Sequence, residues 1–507
     1  MTKPDFARPT GMFAGMPILH WLALGAVLAL ALTVRLYRIT SESLWFDELV
    51  TYTCLDRPTL MEFARREAYW DILSTPLYFV SAYYYAKVFG TGELTMRVFS
   101  IIPGMLVVAA LYFIGRRLFG HTAGITAALC ASLAKLQIYM SQEIRNYAMW
   151  VLLAIFAMYA LHEAVTTNKR HWWILNVGLN GLVALTHLFG LLLLFTQGVY
   201  LLIVYWGQWR RVLVWGLAHI PFLVIIPIWI ASITSGRLTD ETDWIPPAHK
   251  DRLIGAYFYV YAGSKLDGMD FIHHLPFQVP VHQLLGIAMI VLNLWWIAAC
   301  CWKELTETGY AAQGYRPKSA LLLLAWLMGP PLTLFLVSRY IRPSFVERYA
   351  LTAMPALFLI AGGAVAALPR RPWRYAVVAM LLIIYLGNLV DLQRPIRPDY
   401  RQAGNTIRSH ASPNDKVYTP IEFTWFGLSH YSGLDQSHFV ISDDYARKAV
   451  EAVDTGQAAW IFMLHVPGTW DPEDVESLLA GKPFAVTRDR FSGRWDVYLW
   501  HVAPAGG

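Results

Sequence analysis

Cysteine and charge are both scarce in this chain. Its 507 residues include 4 cysteines, Cys54, Cys130, Cys300 and Cys301. No Cys-x-x-Cys pair occurs, and none of the four lies beyond position 301. A disulfide framework and a thiolate metal site are therefore not expected. Free cysteine in an apolar stretch behaves as a small hydrophobe. Charged residues make up only 15% of the chain, against about 25% in soluble domains. That shortage excludes an ordinary soluble protein. Nor does a P-loop or a Gly-x-Gly-x-x-Gly fingerprint follow a strand. Low-complexity tracts, coiled-coil heptads and strong internal repeats are missing as well.

Apolar and aromatic residues fill the space. Hydrophobic residues reach 56%, with 21 Trp and 27 Tyr, rings that suit the headgroup level of a bilayer. A polytopic α-helical membrane protein is the expected fold class. A span needs about 20 apolar residues. Candidates run over 17–36, 98–115, 121–139, 148–165, 172–186, 189–207, 212–233, 283–301, 319–338, 349–367 and 374–391, about eleven in all. The first follows Lys3 and Arg8, is too long for a signal-peptide core and lacks a small-residue cleavage site, so a retained span is expected. Residues 76–89 are too short to span and contain Tyr83-Tyr84-Tyr85 and Lys87. They predict a helix lying in the interface.

Basic residues set the orientation. With 76–89 at the interface, Arg116-Arg117, Lys169-Arg170, Arg210-Arg211 and Arg370-Arg371-Pro372-Trp373-Arg374 all fall on one side, in short acid-free connectors. These are expected inside. The N-terminus is then inside. Outside lie 37–97, 140–147, 234–282, 339–348 and everything after about residue 392. The formal charge of +6 reflects this patterning, and no nucleic-acid partner is inferred from it. The longest inside connector, 302–318, is too small for a nucleotide-sugar domain. Chemistry outside would then need groups already activated on a lipid.

From about residue 392 the chain turns polar, with Pro395, Pro398 and Pro413 marking breaks. Strand-like runs at Lys416–Thr419, Ala458–Leu464 and Trp495–Val502 alternate with helix-like stretches at 399–410, 443–453 and 471–480. We expect a membrane domain over 1–391 and a small extracytoplasmic α/β domain over 392–507.

Chemistry is concentrated at the outer edges of the spans. Ser43-Leu44-Trp45-Phe46-Asp47-Glu48-Leu49 places two adjacent carboxylates just past the first span. Such acids are costly at a membrane surface unless solvated or used. Glu42, Asp56, Glu62, Glu67 and Asp71 lie nearby, so a solvated acidic loop is the plain alternative. Outer-face cations are Arg97, Lys135, Arg145 and Arg348, for which interfacial anchoring is the plain alternative. Glu143 stands beside Arg145, where a structural ion pair is the competing role. His187 lies between two spans, where packing competes with ligand binding. His249, His273 and His274 have no carboxylate at helical ligand spacing, so no metal is assigned.

Several motifs occur in an order that resembles the GT-C superfamily, of the glycosyltransferase family 39 type. They are Ser43–Glu48, Met96-Arg97-Val98-Phe99-Ser100, Gly115-Arg116-Arg117-Leu118-Phe119-Gly120, Ser141-Gln142-Glu143-Ile144-Arg145-Asn146-Tyr147, Thr186-His187-Leu188-Phe189-Gly190 and Glu347-Arg348-Tyr349-Ala350 with Pro355. Relatives include protein O-mannosyltransferases and bacterial transferases that modify lipid A with aminoarabinose or galacturonic acid. The resemblance implies a multi-pass inner-membrane enzyme that transfers one sugar, with inversion, from a polyprenyl-phosphate donor to a lipid, glycan or protein acceptor on the extracytoplasmic side, without a cofactor. It makes Asp47 the base, with Glu48 orienting the acceptor or assisting. Arg348, Arg145, Arg97 and Lys135 become candidates for the donor phosphate, and Glu143, Tyr147 and His187 for substrate. Many relatives carry His-Pro-Pro where this chain has Leu73-Ser74-Thr75-Pro76-Leu77, so no role transfers to that histidine position. A transporter or flippase, and a ligase or polymerase using a diphosphate-linked glycan, are the alternatives.

Overall fold

A computed structural model describes residues 16–70, 75–234, 279–306, 319–389, 397–465, 469–493 and 495–505, with positions 245, 248, 253 and 395. Most of the loop expected at 234–282, including His249, His273 and His274, lies outside the described residues, as do Leu73 and Ser74. The chain divides into two compact units. One comprises Met1–Tyr37, Arg57–Gly90 and Thr95–Asp391; the other comprises Arg38–Asp56, Thr91–Leu94 and Leu392–Gly507.

The first unit is helical, as its apolar runs dictate. Among the described residues, six helices are long and apolar enough to cross a membrane: Ile18–Leu36, Glu93–Phe119, Tyr147–Thr167, Trp209–Ile233, Ser319–Tyr340 and Arg348–Ala367. The expected 121–139 span is two helices, His121–Leu133 and Lys135–Gln142, bent by 59°. The break has a physical cause. Ala134 is extended, which frees carbonyls at the end of the first helix. The buried guanidinium of Arg35 takes them up, Nη2 donating to Ala131 O at 3.1 Å and Nη1 to Ser132 O at 3.2 Å. A basic group at a helix C-terminus is favoured twice, by hydrogen bonding and by the helix dipole. Gly104 makes room for this arrangement: a Cβ there would sit 2.6 Å from Ser141 Cβ. Segments expected as spans at 172–186 and 189–207 are helices of 17 and 15 residues, Arg170–Thr186 and Gly190–Val204.

Small residues let these helices approach closely. A Cβ on Gly362 would meet Ala123 O at 2.3 Å, and one on Gly124 would meet Tyr112 O at 2.4 Å. That is how apolar helices gain van der Waals contact without a hydrophobic driving force between them. A buried amide cluster adds polar contacts. Gln197 Nε2 donates to Asn180 Oδ1 at 2.8 Å, Asn176 and Asn180 both donate to Gln197 Oε1, and Trp215 Nε1 donates to Asn176 Oδ1 at 2.8 Å. The 76–89 segment is a helix, Pro76–Phe89, with Tyr78, Phe79, Ala82, Tyr83 and Ala86 buried.

The second unit carries a five-stranded mixed sheet. Its strands are β1 (Lys416–Thr419), β2 (Phe439–Ile441), β3 (Ala459–Leu464), β4 (Phe484–Phe491) and β5 (Val497–Pro504), in the order β2-β1-β3-β5-β4. β1 runs parallel to β2 and β3, while β5 is antiparallel to β3 and β4. β3 is buried throughout, so its alternating side chains pack on both faces of the sheet. Ile461 and Met463 join Tyr445, Ala449 and Val453 of the Tyr445–Asp454 helix. From the opposite face Phe462 stacks on Tyr400 at 5.9 Å. The three strand-like runs and three helix-like stretches expected from sequence are all present, shifted by at most about two residues. β2, β4 and the Thr424–Ser432 helix were not expected.

Candidate active site

The acid pair sits on a short helix, Phe46–Tyr52, inside the second unit. Trp45 precedes it in extended conformation. Glu48 is the third helical residue, and its Oε2 accepts the Trp45 N–H at 3.0 Å. This half of a capping box satisfies a donor that the helix leaves orphaned. Glu48 is fully buried, 0% exposed. Such a carboxylate stays charged only beside a hydrogen-bonded cation. Arg397 provides it, with Nη1 at 2.5 Å from Glu48 Oε2 and Nε at 4.0 Å from Glu42 Oε2. Asp47, by contrast, is half-buried.

A second set of contacts holds the approach to this helix. Ser43 Oγ donates to Pro398 O at 2.6 Å, and the Leu44 N–H donates to the Tyr431 hydroxyl at 2.9 Å. That hydroxyl donates in turn to Glu93 Oε1 at 3.1 Å. Burial first, and then the nearby Glu93 charge, push the Tyr431 hydroxyl well above the ordinary tyrosine range, so it remains a donor. Arg401 pairs with Glu93 Oε2 at 2.6 Å and donates to Thr40 O at 2.7 Å and Glu42 O at 3.2 Å. Sequence reasoning missed Arg397, Arg401, Glu93 and Tyr431. The available signal was a pair of arginines four apart at the start of the polar C-terminal part.

The other seven candidate residues belong to the first unit. Arg145 Nη1 pairs with Glu67 Oε1 at 3.5 Å, and its guanidinium lies 5.6 Å over the Phe79 ring. Its own N–H donates to Glu143 O at 2.8 Å. Glu143 is buried, at 7% exposure. The next residue, Asn146, donates from Nδ2 to Thr186 O at 2.7 Å. This ties the 143–147 connector to the turn that carries His187. His187 Nδ1 accepts the Phe189 N–H at 3.2 Å, which assigns the ring proton to Nε2. The imidazole stacks on Trp150 and lies 5.9 Å from Tyr147 and 5.4 Å from Tyr349. Arg348, half-buried, lies with its guanidinium 5.5 Å over the Tyr349 ring. His187 thus neighbours Tyr147 on one side and Tyr349 on another, and Tyr349 links it to Arg348. Arg97 and Lys135 are buried on separate helices, Glu93–Phe119 and Lys135–Gln142. Among the described residues, no three His, Cys, Asp or Glu side chains cluster as a metal ion would need.

Known proteins give a consistent background. Residues 74–230 match the family model described as dolichyl-phosphate-mannose-protein mannosyltransferase. The chain is similar in structure to ArnT from Cupriavidus metallidurans, in a crystal structure bound to undecaprenyl phosphate. The TM-score is 0.57 at 14% identity, covering 96% of this chain and 98% of that one. The apo form of the same protein gives a TM-score of 0.56 at 14% identity, covering 95% of this chain and 98% of that one. The oligosaccharyltransferase of Archaeoglobus fulgidus, in its apo form, gives 0.51 at 11% identity over 92% of this chain and 69% of that one. No curated protein matches this sequence.

Proposed function

We propose that this chain, which carries the fold of the GT-C membrane glycosyltransferases, is an inverting glycosyltransferase. It takes one sugar from a polyprenyl-phosphate donor and places it on an acceptor outside the cytoplasm. The acceptor is a lipid, a glycan or a protein. The observation that carries this reading is the division of labour within the acid pair. Glu48 is buried and ion-paired, whereas Asp47 beside it is half-buried.

The chemistry needs few groups. A polyprenyl phosphate leaves as a stable anion and needs little protonation. The acceptor hydroxyl needs a base within hydrogen-bond reach, and Asp47 fills that role. Attack by the acceptor with a single base inverts the anomeric centre, and no covalent intermediate is required. Charge that develops on the phosphate is met by a preorganised cation. Arg348 is our assignment, braced by the Tyr349, His187 and Trp150 rings. Arg145 is already committed to Glu67 and takes a supporting role.

Turnover tests the proposal. The purified protein should consume an undecaprenyl-phosphate sugar, form a new glycosidic bond and ignore nucleotide sugars. Efficient transfer from a nucleotide sugar without lipid carrier would overturn the donor assignment. A product bearing a multi-sugar block would point instead to a ligase.

A further inference from the structure

We infer that Arg397 is a positioning residue for Asp47, acting through Glu48; this rests on the reading of Asp47 as the base. The residues that flank Asp47, Trp45, Phe46 and Glu48, are docked on the C-terminal part of the same unit. Trp45 packs on Trp495 with ring centroids 5.6 Å apart. Phe46 packs on Phe423 at 5.0 Å and on Phe426 at 5.9 Å. Glu48 is held by Arg397. Seven residues make a helix too short to keep its place by its own hydrogen bonds. Its register and rotation come from these docking contacts.

Among them, the Arg397–Glu48 pair is the one that a conservative change breaks without leaving a cavity. The guanidinium spans two carboxylates, Glu42 and Glu48, so one side chain fixes both the segment leading into the helix and the third helical residue. Glu48 thereby becomes the anchor of the pair and leaves proton transfer to Asp47. The C-terminal segment is therefore part of the mould for the reaction centre. Among other titratable groups here, Tyr52 at the end of this helix packs on His430 and lies near the Glu93 and Asp56 charges, while Arg401 and Tyr431 are bonded to Glu93.

The test uses the full-length protein in detergent with phospholipid. Donors are radiolabelled undecaprenyl-phosphate-linked mannose, aminoarabinose and galacturonic acid, and membranes of a deletion strain serve as acceptor. Arg397→Gln should lower kcat by about 10²-fold, the scale of a misplaced catalytic group, with little change in donor KM. Glu48→Gln should cost about as much, and the double variant should be no worse than the worse single one, because the two act as a unit. Rescue by the conservative variant carries the further distinction. Arg397→Lys keeps the cation without the planar fork and should recover part of the kcat lost in Arg397→Gln, with donor KM still unchanged. Mere loss of packing would lower kcat equally in both. If Arg397→Gln does not fold, Glu48→Gln and Arg397→Lys decide, each with a reduced kcat at an unchanged donor KM expected. Wild-type kcat in either folded variant, or losses that add in the double variant, would overturn the positioning role. Should Asp47→Asn turn over normally, or the wild type consume none of the three donors, the proposed reaction fails and the inference falls with it. Wild-type turnover with an inactive Asp47→Asn and an indifferent Arg397→Gln sinks the inference alone.

Discussion

The imidazole of His187 lies nearly flat on the indole of Trp150, ring centroids 4.4 Å apart and planes 18° from parallel. Its Nδ1 is occupied by the Phe189 amide, and its edge meets Tyr349. His187 thus holds three segments together. His187→Ala leaves the Phe189 N–H without its acceptor and should destabilise the folded chain by about 1–3 kcal/mol. His187→Asn, which can offer a carbonyl to the same N–H, should recover part of that. Thermal unfolding in detergent measures the difference.

Asp47 and Arg348 should fail in different ways. Asp47→Asn keeps the shape and loses the proton acceptor, so kcat should fall by about 10²–10⁴-fold, with donor binding little changed. Arg348→Ala should weaken donor binding and also slow transfer, since a phosphate-binding cation acts in both the ground and the transition state. Single-turnover kinetics with donor titration separates the two. Near-normal kcat in a folded Asp47→Asn protein would falsify the base assignment.

Arg401 joins Glu93 to the Thr40 and Glu42 carbonyls. Arg401→Ala should loosen residues 38–45 and expose them to protease. Hydrogen bonds to charged groups are worth about 1.5–3 kcal/mol each, discounted here because the side chain is part-exposed. Limited proteolysis followed by mass spectrometry would locate the new cut. Unchanged protection of 38–45 counts against the bracing role.

Acid should weaken the C-terminal sheet through His501. Burial, its largest influence, lowers the pKa of this imidazole below 6.5; Asp415 opposes the shift and His410 adds to it. The folded form then binds the proton less readily than the unfolded chain. Stability from this group is complete above the unfolded pKa of about 6.5 and falls as pH drops toward the folded value. His501 also stacks on Trp460 at 4.4 Å. His501→Phe retains a ring there and should flatten the pH dependence of unfolding between pH 7 and 5. An unchanged slope rules His501 out as its source.

Topology is tested by labelling. Lys169 and Asn405 are both exposed. Cysteines placed there, in a chain with its native cysteines replaced, should react differently with an impermeant maleimide in intact cells. Asn405→Cys should label and Lys169→Cys should not. The reverse pattern would invert the orientation.

Composition by itself determined the class of this protein. A continuous apolar stretch of about 20 residues can satisfy its backbone within itself in a bilayer only as a helix, so helices followed directly from the runs at 17–36, 148–165 and 319–338. Short apolar runs set between polar, proline-broken stretches likewise located β1, β3 and β5; only β3 is buried throughout, and its sequence is accordingly apolar from Ala459 to Leu464. The acid pair, Arg348 and His187 could be singled out because charged and polar groups at span edges stand out against an apolar background. The sequence contained no cue for the break at Ala134, since the residues that compensate it, Arg35 and Gly104, lie far away in the chain. The resemblance alone separated Asp47 from Glu48. Residue type and spacing could not show that Glu48 is the buried one, because burial is a property of what packs against it. Only the tertiary structure brought Arg397 to Glu48 across most of the chain's length. A pairing between distant residues is fixed by the packing of the whole unit and leaves no local trace in either neighbourhood.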